Sequence, residues 1–301
     1  MVSESPLVRF ARDYGWRAYA IPVLAVITVW ILVDVFTSPT DSDDAASAQV
    51  AATQQAGEHG GGHQHDHQGE EGKTGPNPAD AAAPAVAPDQ LPAGGPFTER
   101  GDATYRVIGT PGLAVGQGRE KVVRYVIEVE GGVDTAGVGG DDALAAMIDA
   151  TLANPKGWTH DPAFRFEHVG ADQDPNMRIQ LTSVGTTHEL CGTNLAMETS
   201  CFYTDGNRVV INESRWVRGA APFAGDVGSY RQYLINHEVG HGLGYEHHEP
   251  CRASGELAPV MMQQTLSLDN SQLHAFDSAE VYPDDHAQCL YNPWPYPKVA
   301  P

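Results

Sequence analysis

The chain has 301 residues, and 39 acidic against 18 basic residues give it a formal net charge of −21. A chain so poor in lysine and arginine lacks the basic surface that phosphate backbones require, which argues against a nucleic-acid-binding protein. The scarcity of lysine also argues against a polybasic patch that binds lipid headgroups.

An apolar run near the N-terminus predicts a membrane anchor. A helix over residues 18–36 would span roughly 28 Å, close to the thickness of the hydrocarbon core of a bilayer. Arginines precede this run, and no basic residue follows it until Lys73, so the positive-inside rule leaves residues 1–17 in the cytoplasm and the remainder outside. We therefore expect a single-pass protein of the cell membrane. Secretion after signal-peptide cleavage near Ala46-Ser47-Ala48 is the alternative.

Residues 37–100 show no hydrophobic periodicity and are rich in Ala, Gly, Pro and His. Such a composition cannot bury enough apolar surface to offset the entropy of ordering, so the segment is predicted to be a disordered linker. It contains a histidine tract, which is interpreted either as a loose metal-collecting segment or as a polar spacer: His59, His63, His65 and His67.

Residues 101–301 carry the periodicity of one folded domain of the α+β class. Alternating or continuous apolar runs predict strands at 105–110, 122–130, 164–169, 177–184 and 208–212. Apolar residues at helical spacing predict helices at 141–152 and 225–244. Beyond Gly244 the chain is proline-rich and is predicted to be irregular.

All four cysteines lie in the part predicted to be exported, where an even number favours two disulfides. Three pairings are possible. The simplest joins Cys191 to Cys201 across a short loop and leaves Cys251 to pair with Cys289. A cysteine acting as a metal ligand or nucleophile is the less favoured alternative.

Residues 237–248 read HEVGHGLGYEHH. His237 and His241 are one helical turn apart and therefore share a face, on which two neutral imidazoles can bind one zinc ion. Glu238 lies between them as the candidate general base. Gly244 permits a positive-φ turn that ends the helix and returns the chain toward the metal, where His247 is the predicted third ligand and His248 the alternative. Three ligands leave one position open, which is typical of a catalytic site.

The extended pattern HExxHxxGxxH resembles that of the metzincin metallopeptidases, in which it is followed by a methionine-containing turn. Here Ala258-Pro259-Val260-Met261-Met262-Gln263 corresponds to that turn, with Met261 as its methionine and Met262 as the less favoured choice. The run from about Lys121 to the terminal NPWPYP also resembles an uncharacterised family of secreted bacterial metzincin-like proteins. The resemblance implies a zincin domain with a mixed sheet, an active-site helix and an irregular C-terminal subdomain. It also implies one catalytic Zn²⁺.

One departure from the metzincin pattern concerns transition-state stabilisation. Some metzincins carry a tyrosine two residues after the turn methionine, where this chain has Gln263. The sequence therefore does not show which residue would donate a hydrogen bond to the developing oxyanion.

The preferred hypothesis is an extracytoplasmic zinc endopeptidase that acts on protein or peptide substrates. In it, the metal polarises the scissile carbonyl and activates water while Glu238 accepts the proton. Two alternatives remain open: an exported zinc-binding module without hydrolysis, and a hydrolase of cell-wall amide bonds. The presence of Glu238 favours hydrolysis over storage, because storage needs no general base.

Overall fold

The computed structural model of the protein describes Thr28 and residues 90–192 and 199–298. The predicted cytoplasmic segment, the membrane anchor apart from Thr28, and residues 37–89 of the predicted linker, with its histidine tract, lie outside these residues. Across the described part of the chain, no helix is both long and apolar enough to cross a membrane.

The centre of the domain is a seven-stranded mixed sheet. Its strands are β1 (Tyr105–Ile108), β2 (Ala114–Gly116), β3 (Lys121–Glu130), β4 (Phe164–His168), β5 (Met177–Thr182), β6 (Cys201–Tyr203) and β7 (Arg208–Asn212). The strand order is β2-β4-β3-β5-β7-β6, with β1 paired to β3. The four strands β4, β3, β5 and β7 run parallel, whereas β1, β2 and β6 pair antiparallel with their neighbours.

Between residues 90 and 298 the structure describes five α-helices: α1 (Gly140–Leu152), α2 (Val184–Cys191), α3 (Glu213–Arg218), α4 (Val227–Leu243) and α5 (Asn270–Phe276). The α+β class is therefore confirmed, as are the five predicted strands and both predicted helices, with bounds that differ by a few residues. The sequence analysis missed β2, β6, α2, α3 and α5, all of which have eight residues or fewer.

The central strand β3 is buried over its second half. From Tyr125 to Glu130 every residue is buried, because β3 has neighbours on both edges and is covered on both faces. Two of these buried residues are acidic. Glu130 is satisfied by the Ser183 N–H at 2.7 Å and the Thr186 hydroxyl at 2.5 Å, so its carboxylate fixes the start of α2.

Two apolar clusters hold the domain together. The larger one joins the sheet to α1 and α4 and includes Trp158, Phe166, Tyr230 and Met261. The smaller one lies in the C-terminal part and comprises Cys251, Ala258, Met262, Leu266, Leu273, Tyr282 and Cys289. We call residues 249–290 the C-terminal subdomain, since they surround this second core.

Both predicted disulfides are confirmed. Cys191 is bonded to Cys201, which ties the end of α2 to the edge strand β6. Cys251 is bonded to Cys289, which closes the C-terminal subdomain across a sequence separation of 38 residues. No free cysteine occurs in the part of the chain that the structure describes.

The end of the predicted linker packs onto the domain. The Thr98 N–H donates to the Glu213 carboxylate at 2.8 Å, and Phe97 lies beneath the guanidinium of Arg218 at 4.6 Å. The ordered domain therefore begins before residue 101, the boundary that composition alone indicates, because these few contacts leave no periodic trace in the sequence.

Candidate metal centre

Helix α4 carries the first half of the site and is capped at both ends. The Asp226 carboxylate accepts a hydrogen bond from the Ser229 N–H at 2.9 Å, which satisfies one of the free donors at the helix start. At the other end Gly244 has φ 114°, the left-handed conformation predicted for it. The Tyr245 N–H then donates to the Gly240 carbonyl at 3.1 Å, which turns the chain back along the helix.

Replacing Asp226 by alanine should lower the free energy of unfolding by about 1 kcal/mol. The hydrogen bonds from Ser229 hold the pKa of Asp226 below its usual 3.8. The cap therefore makes its full contribution to the stability of the folded state at pH values above 3.8, the pKa in the unfolded state. That contribution is lost as pH falls through the lower pKa of the folded state. Urea unfolding at pH 7 and pH 3 should show the difference between wild type and D226A shrinking at pH 3. D226N, which keeps an uncharged acceptor, is the control and should retain most of the stability at both pH values.

His237 and His241 point from one face of α4, with ring centroids 4.9 Å apart. The Nδ1–H of His237 donates to the Val260 carbonyl at 2.8 Å, and that of His241 donates to the Tyr245 carbonyl at 2.7 Å. Each bond fixes the tautomer and leaves the Nε2 lone pair free. Burial, with His248 and His241 nearby, holds the pKa of His237 well below its usual value, so this imidazole is neutral at pH 7.

The structure brings His248, and not the predicted third ligand His247, together with His237 and His241. The side-chain ligand atoms of His237, His241 and His248 all lie within 4.8 Å of one another. His247 is exposed and occupies a bend after the helix. Consecutive side chains of a non-helical segment point in different directions, so a shift of one residue decides which imidazole faces the cluster. The Glu249 N–H fixes this register by donating to the Met261 carbonyl at 3.1 Å.

Glu238 is 3 % exposed and lines the same cleft as the three histidines. Burial raises the pKa of its carboxyl group to about 8. Burial that raises the pKa of a carboxyl group lowers the stability of the fold. Such raised pKa values are characteristic of groups that transfer protons. The structure thus places Glu238, the predicted general base, in one cleft with His237, His241 and His248.

Met261 forms the floor beneath the helix. It is 1 % exposed and belongs to the larger core, whereas Met262 is buried in the C-terminal subdomain. The contact with α4 is close, because a methyl group on Gly240 would lie 2.5 Å from the Met261 sulfur and 2.8 Å from Trp158. Gly240 stands between His237 and His241, so the methionine supports the segment that carries both histidines.

Replacing Gly240 by alanine should lower the free energy of unfolding by about 1–3 kcal/mol, because the added methyl group overpacks this contact. Gly228→Ala is a matched control in the same helix, since its methyl group would meet Asp226 only at an ordinary 3.5 Å. The control should leave stability unchanged or raise it by up to about 1 kcal/mol. Chemical denaturation of both variants measures the difference, and equal effects would mean that the Met261 contact adapts freely.

The turn that contains Met261 is held by side chains distant in sequence. The Tyr233 hydroxyl donates to the Met262 carbonyl, and the Gln264 N–H donates back to that hydroxyl, each at 2.9 Å. Gln264 and Asn292 exchange two hydrogen bonds of 2.9 Å, which fasten the C-terminal tail to the turn. The sequence analysis did not find these supporting residues, because no local spacing links them to the motif.

The histidines open into a cleft of about 500 Å³. One wall is the edge strand β6, represented by Cys201 and Phe202, and the opposite side includes His248 and Gln263. Among the described strands, β6 pairs only with β7 and is the last strand of the sheet on that side. Lys121 also lines the cleft and donates to the Gly242 carbonyl at 2.8 Å, where a cation stabilises the end of α4.

A family model described as "Protein of unknown function (DUF3152)" matches residues 91–297, more than half of the chain. No curated protein matches the chain. No solved structure matches it. The matched range contains the whole sheet, all three clustered histidines and both disulfides.

Proposed function

This chain belongs to the DUF3152 family, and from the chemistry of its site we propose that it is a zinc-dependent peptidase that acts outside the cytoplasm. The observation that carries the proposal is the convergence of His237, His241 and His248 in one cleft with the buried carboxyl group of Glu238. A site for metal storage alone has no need of such an acid, whose burial opposes its ionisation.

Zinc is the metal that best fits the donor set. Three imidazoles whose Nδ1 atoms are already engaged offer three Nε2 ligands, and imidazole ligation with an open position is typical of catalytic zinc. When bound, zinc supplies Lewis acidity that lowers the pKa of an attacking water, polarises a carbonyl and favours the ionised form of Glu238.

The protein's own contribution to the reaction is proton transfer and alignment. Glu238 accepts the proton of the attacking water on a carboxylate oxygen and delivers it to the nitrogen of the leaving amine. The cap at Gly244 and the floor at Met261 keep the proposed ligands aligned. Both features support the assignment of this domain to a metzincin-like zincin fold, which we include in the proposal.

A peptide is the substrate class that the cleft favours. Strand β6 lines the cleft and is the last strand of the described sheet, so an extended peptide that paired its main chain with β6 would bring a peptide bond beside the histidines without demanding particular side chains. An amide outside a polypeptide backbone lacks the main-chain groups for such pairing.

Two disulfides support export, because such bonds persist in oxidising compartments. We therefore retain the single-pass anchor over residues 18–36 as part of the proposal, with the peptidase domain on the extracytoplasmic side and secretion after cleavage as the alternative.

The test uses the full-length chain with His59, His63, His65 and His67 replaced by serine, so that the tract contributes no metal. Metal analysis should find one zinc per chain, and a mixed peptide library should be cleaved by the zinc-loaded protein. One zinc without cleavage of any peptide would contradict the peptidase assignment and favour a metal-binding module. A protein that takes up no metal would overturn the proposal altogether.

A further inference from the structure

We propose that Glu280 is a positioning residue for the metal centre, which acts by holding His248 in the orientation that binds the ion. This inference rests on the proposed function. It concerns a carboxylate that lies 32 residues beyond the histidine it contacts, outside the motif that carries the ligands.

The three ligand histidines are held by different kinds of acceptor. His237 and His241 donate from Nδ1 to backbone carbonyls, at 2.8 and 2.7 Å. His248 instead donates to the side chain of Glu280, at 3.3 Å. The first two ligands are therefore set by the main chain, whereas the third depends on a side chain that a single substitution can remove.

A carboxylate in this place orients a histidine ligand. It fixes the proton on Nδ1, which leaves the Nε2 lone pair available. His248 needs such an orienting contact more than the other two, because it lies on an irregular segment after α4 and not on the helix itself.

Glu280 is itself held in place by the C-terminal subdomain. Its N–H donates to the Asp277 carbonyl at 3.3 Å. Two residues further on, Tyr282 is 4 % exposed, and its hydroxyl accepts a hydrogen bond from the Gln263 N–H at 2.9 Å. The Tyr282 ring lies parallel to that of His248, with centroids 6.3 Å apart. One anchored segment therefore presents both the carboxylate and a flat apolar surface to the third ligand.

The direct test is zinc affinity, measured by chelator competition on the full-length chain without the tract histidines. Glu280→Ala should weaken zinc binding by roughly 10–100-fold, the loss typical of removing a partner of a ligand histidine. Glu280→Gln should lose less, because its amide oxygen still accepts the Nδ1–H bond. Glu256→Gln is the matched control: Glu256 is an exposed carboxylate of the same subdomain, and its substitution should leave the affinity unchanged.

A second readout separates positioning from a general loss of structure. Long-range ¹H–¹⁵N spectra of the metal-free protein should show His248 protonated at Nδ1 in wild type and in E280Q, and a mixture of tautomers in E280A. The inference is overturned if E280A binds zinc within twofold of E256Q, or if its tautomer is unchanged. Failure of the wild-type protein to bind zinc would instead overturn the proposed function, so the two failures are distinguishable.

Discussion

Replacing Glu238 by glutamine is expected to reduce peptide hydrolysis by roughly 10²–10⁴-fold, the usual contribution of a general acid–base group. Glutamine has nearly the same shape but can neither accept the proton of the attacking water nor deliver it to the leaving amine. Zinc should remain bound at one ion per chain, because Glu238 is not a member of the histidine cluster. The measurement is the turnover of a cleaved peptide together with metal content.

The unfolding of the metal-free variant provides the control for this prediction. Glu238 lies in a place where burial opposes its ionisation, so the neutral glutamine should not destabilise the fold. Loss of activity with unchanged or higher stability would identify a catalytic role. Turnover within tenfold of wild type would exclude Glu238 as the general base, and loss of the metal would show that it helps to bind the ion.

The adjacent histidines at 247 and 248 allow an equally sharp experiment. His248→Ala should weaken zinc binding by more than about 100-fold, since the loss of an outer partner alone typically costs 10–100-fold. His247→Ala should leave the affinity unchanged, because that side chain is exposed and lies outside the cluster. Chelator competition on both variants, with the tract histidines removed, measures the contrast.

The two variants control for each other, because they remove the same side chain from adjacent positions of one segment. If H247A loses zinc and H248A retains it, the spacing HExxHxxGxxH describes this chain after all, and the register after Gly244 differs from that in the structure. Equal losses in both variants would mean that neither histidine is a dedicated ligand.

The sequence predicts His247 as the third histidine of the site, whereas the structure places His248 there. This difference separates the parts of the site that sequence patterns determine from those that they do not. The positions of His237, Glu238 and His241 follow from helical periodicity, and the turn at Gly244 follows from the need for a positive φ. Beyond that turn no repeat constrains the chain. The register is set by the bond between the Glu249 N–H and the Met261 carbonyl, a contact that no local pattern encodes.

The strands of the sheet also differ in whether a sequence pattern predicts them. The long apolar run of β3 predicts a buried strand whatever its surroundings, and its bounds were predicted to within one residue. Strand β6 has three residues and exists because it pairs with β7 and is bonded through Cys201 to α2. No sequence pattern therefore predicted that β6 lines the cleft. None predicted the contact between the Glu280 carboxylate and His248, or the hydrogen bonds between Gln264 and Asn292.

The bond between Cys251 and Cys289 closes the segment that supplies several residues of the candidate metal centre. His248 stands three residues before Cys251, and Met261, Glu280 and Tyr282 all lie between the two cysteines. A newly made chain with reduced thiols has two ligands prearranged on α4, but it lacks the covalent closure that brings the third ligand, its carboxylate and the floor together. If the proposed zinc site is real, we expect the oxidised chain to bind zinc more tightly than the same chain with reduced thiols.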